Sequence, residues 1–110
     1  MTIKKELKHS GTAVRLSAQE DGAELGAVYL YLIRNDSHTE PYGLVEDLFV
    51  KEEHRKKGIG SALVQEAIGE AKRLACYKII GTSRMSRENV HRFYEKLGMK
   101  KYGYEFRLDF

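Results

Sequence analysis

The sequence predicts an α+β fold, with a mixed, mostly antiparallel central sheet and two main helices. Three observations lead there. Strand-like segments fill most of the first fifty residues, while helical spacing of apolar residues is confined to two later stretches. Glu20-Asp21-Gly22 is a turn signal between two strand-like segments, which makes them a hairpin. The elements then follow in the order strands, helix, strand, helix, strand. No repeat, low-complexity tract or Pro/Ser-rich linker interrupts the 110 residues, so 1–110 reads as one domain.

The elements are justified in turn. Residues 3–8 fit one more strand or a short helix. Ala13 to Ala18 alternates, and Leu25 to Ile33 is apolar on both faces, as a central strand would be. Residues 34–42 are polar, hold the sole proline, Pro41, and read as a loop. Leu44 to Val50 is the next strand, and Lys51 to Lys57 a charged connection. A helix begins near Gly58: Ile59, Leu63, Ala67, Ala71 and Leu74 form a stripe, widened by Val64, Ile68 and Ala75. Glu66, Glu70, Lys72 and Arg73 fall opposite. Tyr77 to Thr82 is a short strand. A second helix carries Val90, Phe93, Tyr94 and Leu97 on one face, with Ser86 as N-cap and Gly98 just past its end. Tyr102 to Phe110 alternates and suits a last strand or a short hairpin pinched at Gly103.

Composition narrows the function. No apolar run reaches 18 residues, so no membrane span is expected. Residues 1–6 lack the apolar core of a secretion signal, and the cytoplasm is the default expectation. Cys76 is the only cysteine and reads as a buried small hydrophobe. His9, His38, His54 and His91 have no metal-ligand spacing, so no metal is expected and they read as solvated or capping residues. The net charge of +3 suits an anionic ligand as well as nucleic acid.

The placement of charge is more informative. A strand runs into Arg55-Lys56-Lys57-Gly58-Ile59-Gly60, which opens a helix. Unpaired N–H groups and the positive end of the dipole meet there, so helix stability alone would favour acids. Basic residues and glycines instead build a site for a phosphate or pyrophosphate. The phosphate-loop pattern G-x-x-x-x-G-K-[ST] is absent, and Leu63 stands where the dinucleotide fingerprint needs its third small residue. The pattern [Q/R]-x-x-G-x-[G/A] is met by Arg55, Gly58 and Gly60.

Three blocks occur in order: Glu46 to Val50, Arg55 to Ser61, and Phe93-Tyr94-Glu95-Lys96-Leu97-Gly98-Met99. On these blocks the chain resembles the GNAT superfamily of acetyl-CoA-dependent N-acetyltransferases from about Glu46 to Phe110. The resemblance implies a three-layer fold with a splayed strand pair, acetyl-CoA as cosubstrate and an amine as acceptor. Leu48, Phe49 and Val50 would then pair by their backbone with the pantetheine arm, and a backbone N–H near Leu48 would polarise the acetyl carbonyl. The N–H groups of Arg55, Lys56, Lys57, Gly58, Ile59, Gly60 and Ser61 would hold the pyrophosphate. Glu46 would be the base, with Asp47 the second choice if a bulge exchanges their directions. Tyr94 would be the acid that protonates the departing thiolate, while Phe93 reads as core.

The chain departs from the family pattern in places. Arg87 stands where the family often has a cofactor-contacting Asn seven residues before the Tyr, so an approach of Arg87 to a phosphate is the expectation; Asn89 is out of register. Residues 1–43 show no counterpart of the N-terminal helical pair that walls the amine site. The acceptor site is therefore either open or completed by a second subunit of a homodimer. Two other readings stay open: a non-catalytic acetyl-CoA-binding regulatory module, and a basic nucleic-acid-binding domain using the aromatic and basic residues near the C-terminus. Alternation there favours a sheet face, so no nucleic acid is expected as partner.

Overall fold

The structure, a computed structural model, describes residues 1–8 and 12–110. His9 lies outside these residues. Five strands form one sheet in the order β1 (Thr2–Lys8), β2 (Ala13–Glu20), β3 (Ala23–Ile33), β4 (Tyr42–Val50) and β5 (Ile79–Gly81). The first four are antiparallel neighbours and β5 joins β4 in parallel. Residues 3–8, undecided between strand and helix, are thus strand. The mixed sheet with two helices is the α+β fold expected.

The hairpin forms as its turn residues require. Asp21 and Gly22 both have positive φ, 51° and 78°, which is the pattern of a two-residue turn matched to strand twist. On one sheet face, Val14, Leu16, Ala18, Leu25, Val28, Leu30 and Val45 pack against Ile59, Leu63, Ala67 and Ala71 of helix α1 (Ile59–Arg73). The opposite face of β2 and β3 carries Arg15, which donates to both carboxylate oxygens of Glu24 at 2.7 and 2.9 Å.

Two details of α1 differ from the sequence reading. Ala75 does not extend the apolar stripe; it is exposed and left-handed, φ 63°, just past the helix end. The Cys76 N–H donates to Ala71 O and the Ala75 N–H to Lys72 O, so Ala75 fills a role that glycine fills without strain. Glu70, placed among solvent-facing residues, is 3% exposed. Lys5 Nζ from β1 reaches its Oε2 at 3.1 Å and Arg73 holds its Oε1. A neighbouring strand's lysine, invisible to helical periodicity, draws this carboxylate inward.

Helix α2 (Glu88–Lys96) has Arg87, not Ser86, at its N-cap, and Gly98 past its end at φ 92° as expected. It contains no buried residue. A larger difference lies beyond it. Residues 102–110 form no strand and pair with none of the described strands. The alternation is real, but β5 offers only three residues, and their recorded pairing is with β4. Cys76 is partly covered, and burial raises its thiol pKa above the ordinary value, as suits a packing residue.

Two outcomes follow. Ala75→Gly should stabilise the chain by about 1 kcal/mol in urea unfolding, because it removes a left-handed non-glycine residue. The hydrogen bond from Arg73, then that from Lys5, hold the Glu70 carboxyl below its usual range against the opposing effect of burial. That stabilisation is complete above the unfolded-state value near about 4.3 and lost as pH falls through the lower folded-state value. Circular dichroism melts should show Tm dropping in this acid range, with a shallower drop in Glu70→Gln. Parallel acid profiles would show that the ion pairs of Glu70 contribute nothing.

Candidate active site

The site begins with a mismatch in β4. Its register with β3 steps from Tyr29↔Glu46 to Ala27↔Phe49, so Asp47 and Leu48 stand opposite the single residue Val28. Asp47 takes φ 56° at this bulge. The bulge resets the alternation: Val45, Leu48 and Val50 all belong to or pack against the core, which an unbroken period of two would forbid. The bulge that sequence reasoning allowed for is therefore present. Glu46 is half-buried and Asp47 is exposed.

On its other side, β4 leaves β5. Pairing covers only Gly43↔Ile79, Leu44↔Ile80 and Val45↔Gly81. Beyond Val45 the two strands part, which is the splay expected. The gap opens into a cleft of about 720 Å³ lined by Glu46, Asp47, Leu48, Thr82, Ser83, Arg84, Arg87, Asn89, Phe93 and Tyr94, among others. Tyr94 reaches it across β5: a Cβ on Gly81 would lie 3.2 Å from the Tyr94 ring, so glycine makes room for the phenol. Burial, and secondarily the negative charge of Glu46, hold the Tyr94 phenol pKa above its usual value. Glu46 and Tyr94, forty-eight positions apart in sequence, thus act on each other across one space.

A second cleft of about 290 Å³ lies at the start of α1, lined by Val50, His54, Arg55, Lys56, Gly58, Ile59, Gly60, Ser61 and Phe93. Lys56 and Gly58 take φ 64° and 79°, which folds the turn back on itself. The helix start has no side-chain cap and no acid in its first turn. Its leading N–H groups therefore lack intrahelical acceptors and face a basic rim, as anion binding requires. Arg55 Nε donates to Val50 O at 3.0 Å, which ties this turn to the end of β4. A Cβ on Gly60 would meet Phe93 and Val50 only at 3.8–3.9 Å, so the room at Gly60 belongs to the cleft. Gly60 lines both clefts and joins them.

Not every expected residue faces this space. The side chains of Phe49 and Lys57 line neither cleft; Phe49 is 44% exposed. Arg87 lines the larger cleft, and so does Asn89, which register alone had set aside. Thr82, Ser83 and Arg84 were not singled out by sequence. They follow a strand too short for its periodicity to show where it ends. The Arg84 carbonyl accepts from the Arg87 N–H at 3.1 Å and lies 2.8 Å from His91 Nε2, which holds this rim in place. Among the described residues, no group of His, Cys, Asp or Glu is arranged to hold a metal, and no helix is long and apolar enough to cross a membrane.

Solved acetyltransferases share this architecture. An acetyltransferase from Trypanosoma brucei superposes with a TM-score of 0.76 at 28% identity, over 90% of this chain and 68% of that one. Glucosamine-6-phosphate N-acetyltransferase from Arabidopsis thaliana does so with a TM-score of 0.80 at 25% identity, over 89% and 67%. The fold is that of an acetyltransferase.

Residues 2–99 match the Acetyltransferase (GNAT) family, and the chain belongs to it. It is 31% identical over 80 residues to the aminoglycoside N(6')-acetyltransferase type 1 of Acinetobacter baumannii, covering 73% of this chain and 55% of that one. It is 36% identical over 67 residues to the glucosamine 6-phosphate N-acetyltransferase of Trypanosoma brucei brucei, covering 61% and 44%. The chain thus spans about half the length of these two relatives. Acetyl-CoA is the cosubstrate of the family, and the uncapped, acid-free start of α1 fits its pyrophosphate.

Gly60→Val should retain the fold, because a Cβ there meets only ordinary contacts. Calorimetry should show acetyl-CoA affinity reduced at least about tenfold, the effect of displacing one or two hydrogen bonds to a charged group. Unchanged affinity would remove the start of α1 from the binding site.

Proposed function

We propose that this chain is an N-acetyltransferase that moves the acetyl group of acetyl-CoA to a primary amine by direct attack, with Glu46 as base and Tyr94 as acid. The observation that carries the reading is the parting of β4 from β5. It puts a carboxylate and a protonated phenol on one cleft that runs to an uncapped basic helix start.

Acetyl-CoA supplies the activated thioester. The chain's own groups supply position and proton transfer. The N–H groups from Arg55 to Ser61 bind the pyrophosphate, and the backbone of Leu48 to Val50 aligns the pantetheine beside the gap in the sheet. A backbone N–H near Leu48, at the bulge, polarises the acetyl carbonyl. An alkyl amine reaches the site mostly as its ammonium form at pH 7, so it must lose a proton to attack. Glu46, half-buried beside the bulge, accepts it directly or through water. Tyr94 keeps its proton beyond the usual phenol range and gives it to the departing sulfur. Arg87, at the α2 N-cap on the same cleft, approaches a phosphate of the cofactor.

The deciding assay is CoA thiol release over a panel of amines, with free amine-bearing small molecules and lysine or N-terminal peptides. Acetyl-CoA binding without turnover on any of them would replace the enzyme by a regulatory module. Tyr94→Phe should lower the single-turnover rate by about 100-fold or more, the ordinary worth of a general acid, with acetyl-CoA affinity essentially kept. An unchanged rate would take Tyr94 out of the mechanism.

A further inference from the structure

The larger cleft has two walls of opposite charge. The β4 wall carries Glu46 and Asp47. The turn between β5 and α2 carries Arg84 and Arg87, with Thr82 beside them. Glu46 and Arg87 have uses in the reading above, one for the proton of the incoming ammonium, the other for the cofactor. Arg84 has none. Among the described residues, its guanidinium makes no hydrogen bond or ion pair, although Glu105 lines the same cleft. Arg15, Arg73 and Arg107, by contrast, each hold a carboxylate, and Arg55 holds a backbone carbonyl. Yet the Arg84 backbone is fixed: its carbonyl is engaged both by the Arg87 N–H and by His91 Nε2. This is a charge on an anchored turn, not on a free loop.

The two walls begin close together. The last pair across the strands is Val45↔Gly81, and neighbouring strands lie about 4.8 Å apart. Glu46 is the next residue on β4. Arg84 is three residues past Gly81, and three residues of chain span at most about 11 Å. One small molecule therefore reaches both. Arg84 does not line the smaller cleft at the start of α1, so it stands apart from the pyrophosphate and on the side of Glu46 and Tyr94. A guanidinium in that position repels a second ammonium and matches a carboxylate or a phosphate, whose two oxygens fit its planar fork.

We propose that the acceptor is a small amine that also carries an anion, a phosphate or a carboxylate, bound with its amine at Glu46 and its anion on Arg84. The inference rests on the acetyltransferase reading and names the substrate class for it. The polarity of the cleft orients such a molecule, because only one of its two directions sets each end against the opposite charge. It also selects. A dicationic amine brings like charge to Arg84, and an amine with an apolar tail leaves the guanidinium without a partner once the tail displaces water from it. The Thr82 hydroxyl, on the same wall, is a further donor to the anion.

The test uses amines matched except at the far end. In the unmutated chain, aminopropyl phosphate or γ-aminobutyrate should be acetylated with kcat/KM at least about tenfold above that of propylamine, the ordinary worth of a hydrogen bond between charged groups. Diaminopropane should fall below propylamine. The phosphate and carboxylate arms tell which anion Arg84 takes. Propylamine or diaminopropane turned over as well as both anionic amines would overturn the proposal. Arg84→Gln should raise KM for the preferred anionic amine about tenfold, with acetyl-CoA affinity kept in calorimetry. Loss of acetyl-CoA affinity instead would give Arg84 to the cofactor and overturn the proposal as well. Silence of every amine fails the transferase reading, and binding then decides this one. Aminopropyl phosphate and propylamine are titrated into the chain in the presence of CoA and followed by NMR, which needs no transfer. Tighter binding of the phosphate, weakened in Arg84→Gln, supports the anion site; equal binding of the two overturns it.

Discussion

The constraint on which the rest depends is the point at which β4 stops pairing with β5. Up to Val45 the sheet is continuous. Past it, one residue too many in β4 at Asp47 and Leu48 bends the strand. From that change in register come the bend beside the gap and the direction in which β4 delivers the chain to the start of α1. Without the gap, Glu46 and Tyr94 would be separated by a ladder of hydrogen bonds rather than by a cleft.

The start of α1 shows the same priority of site over stability. A helix start gains from a capping side chain and from acids in the first turn. This one has neither, and it places three basic residues before Gly58. Lys56 is held at positive φ besides. The cost is offset elsewhere, in the layer of Leu16, Leu30, Leu63 and Val64, all fully buried. The core belongs to β2, β3 and α1; the turn with positive φ at Lys56 stands at its margin, on the smaller cleft.

What the sequence revealed and what it hid divide along a physical line. The hairpin, α1, its N-terminal turn and the end of α2 were legible because local rules decide them: positive φ at Asp21 and Gly22, a 3.6-residue stripe, a glycine past a helix. The bulge was only an allowance, since nothing local in Glu46-Asp47-Leu48 compels it; the neighbouring strand does. Glu70 was misplaced because its partner, Lys5, is sixty-five residues away. Asn89 and the rim at Thr82 to Arg84 depend on where β5 ends, and β5 ends where β4 leaves it. The last segment alternates as a strand should, but alternation records which face is apolar and is silent about what pairs with it.

The shortness of β5 has one more consequence. Three paired residues and a helix with nothing buried attach the second half of the site to a well-packed first half. The molecule therefore divides into cooperative units of unequal stability: β1 to β4 with α1 as the stronger, β5 with α2 as the weaker. Glu46 belongs to the first unit and Tyr94 to the second. A ligand that spans both stabilises the weaker unit by its own binding energy, so the assembled pair of catalytic candidates is itself a state that ligand occupancy populates.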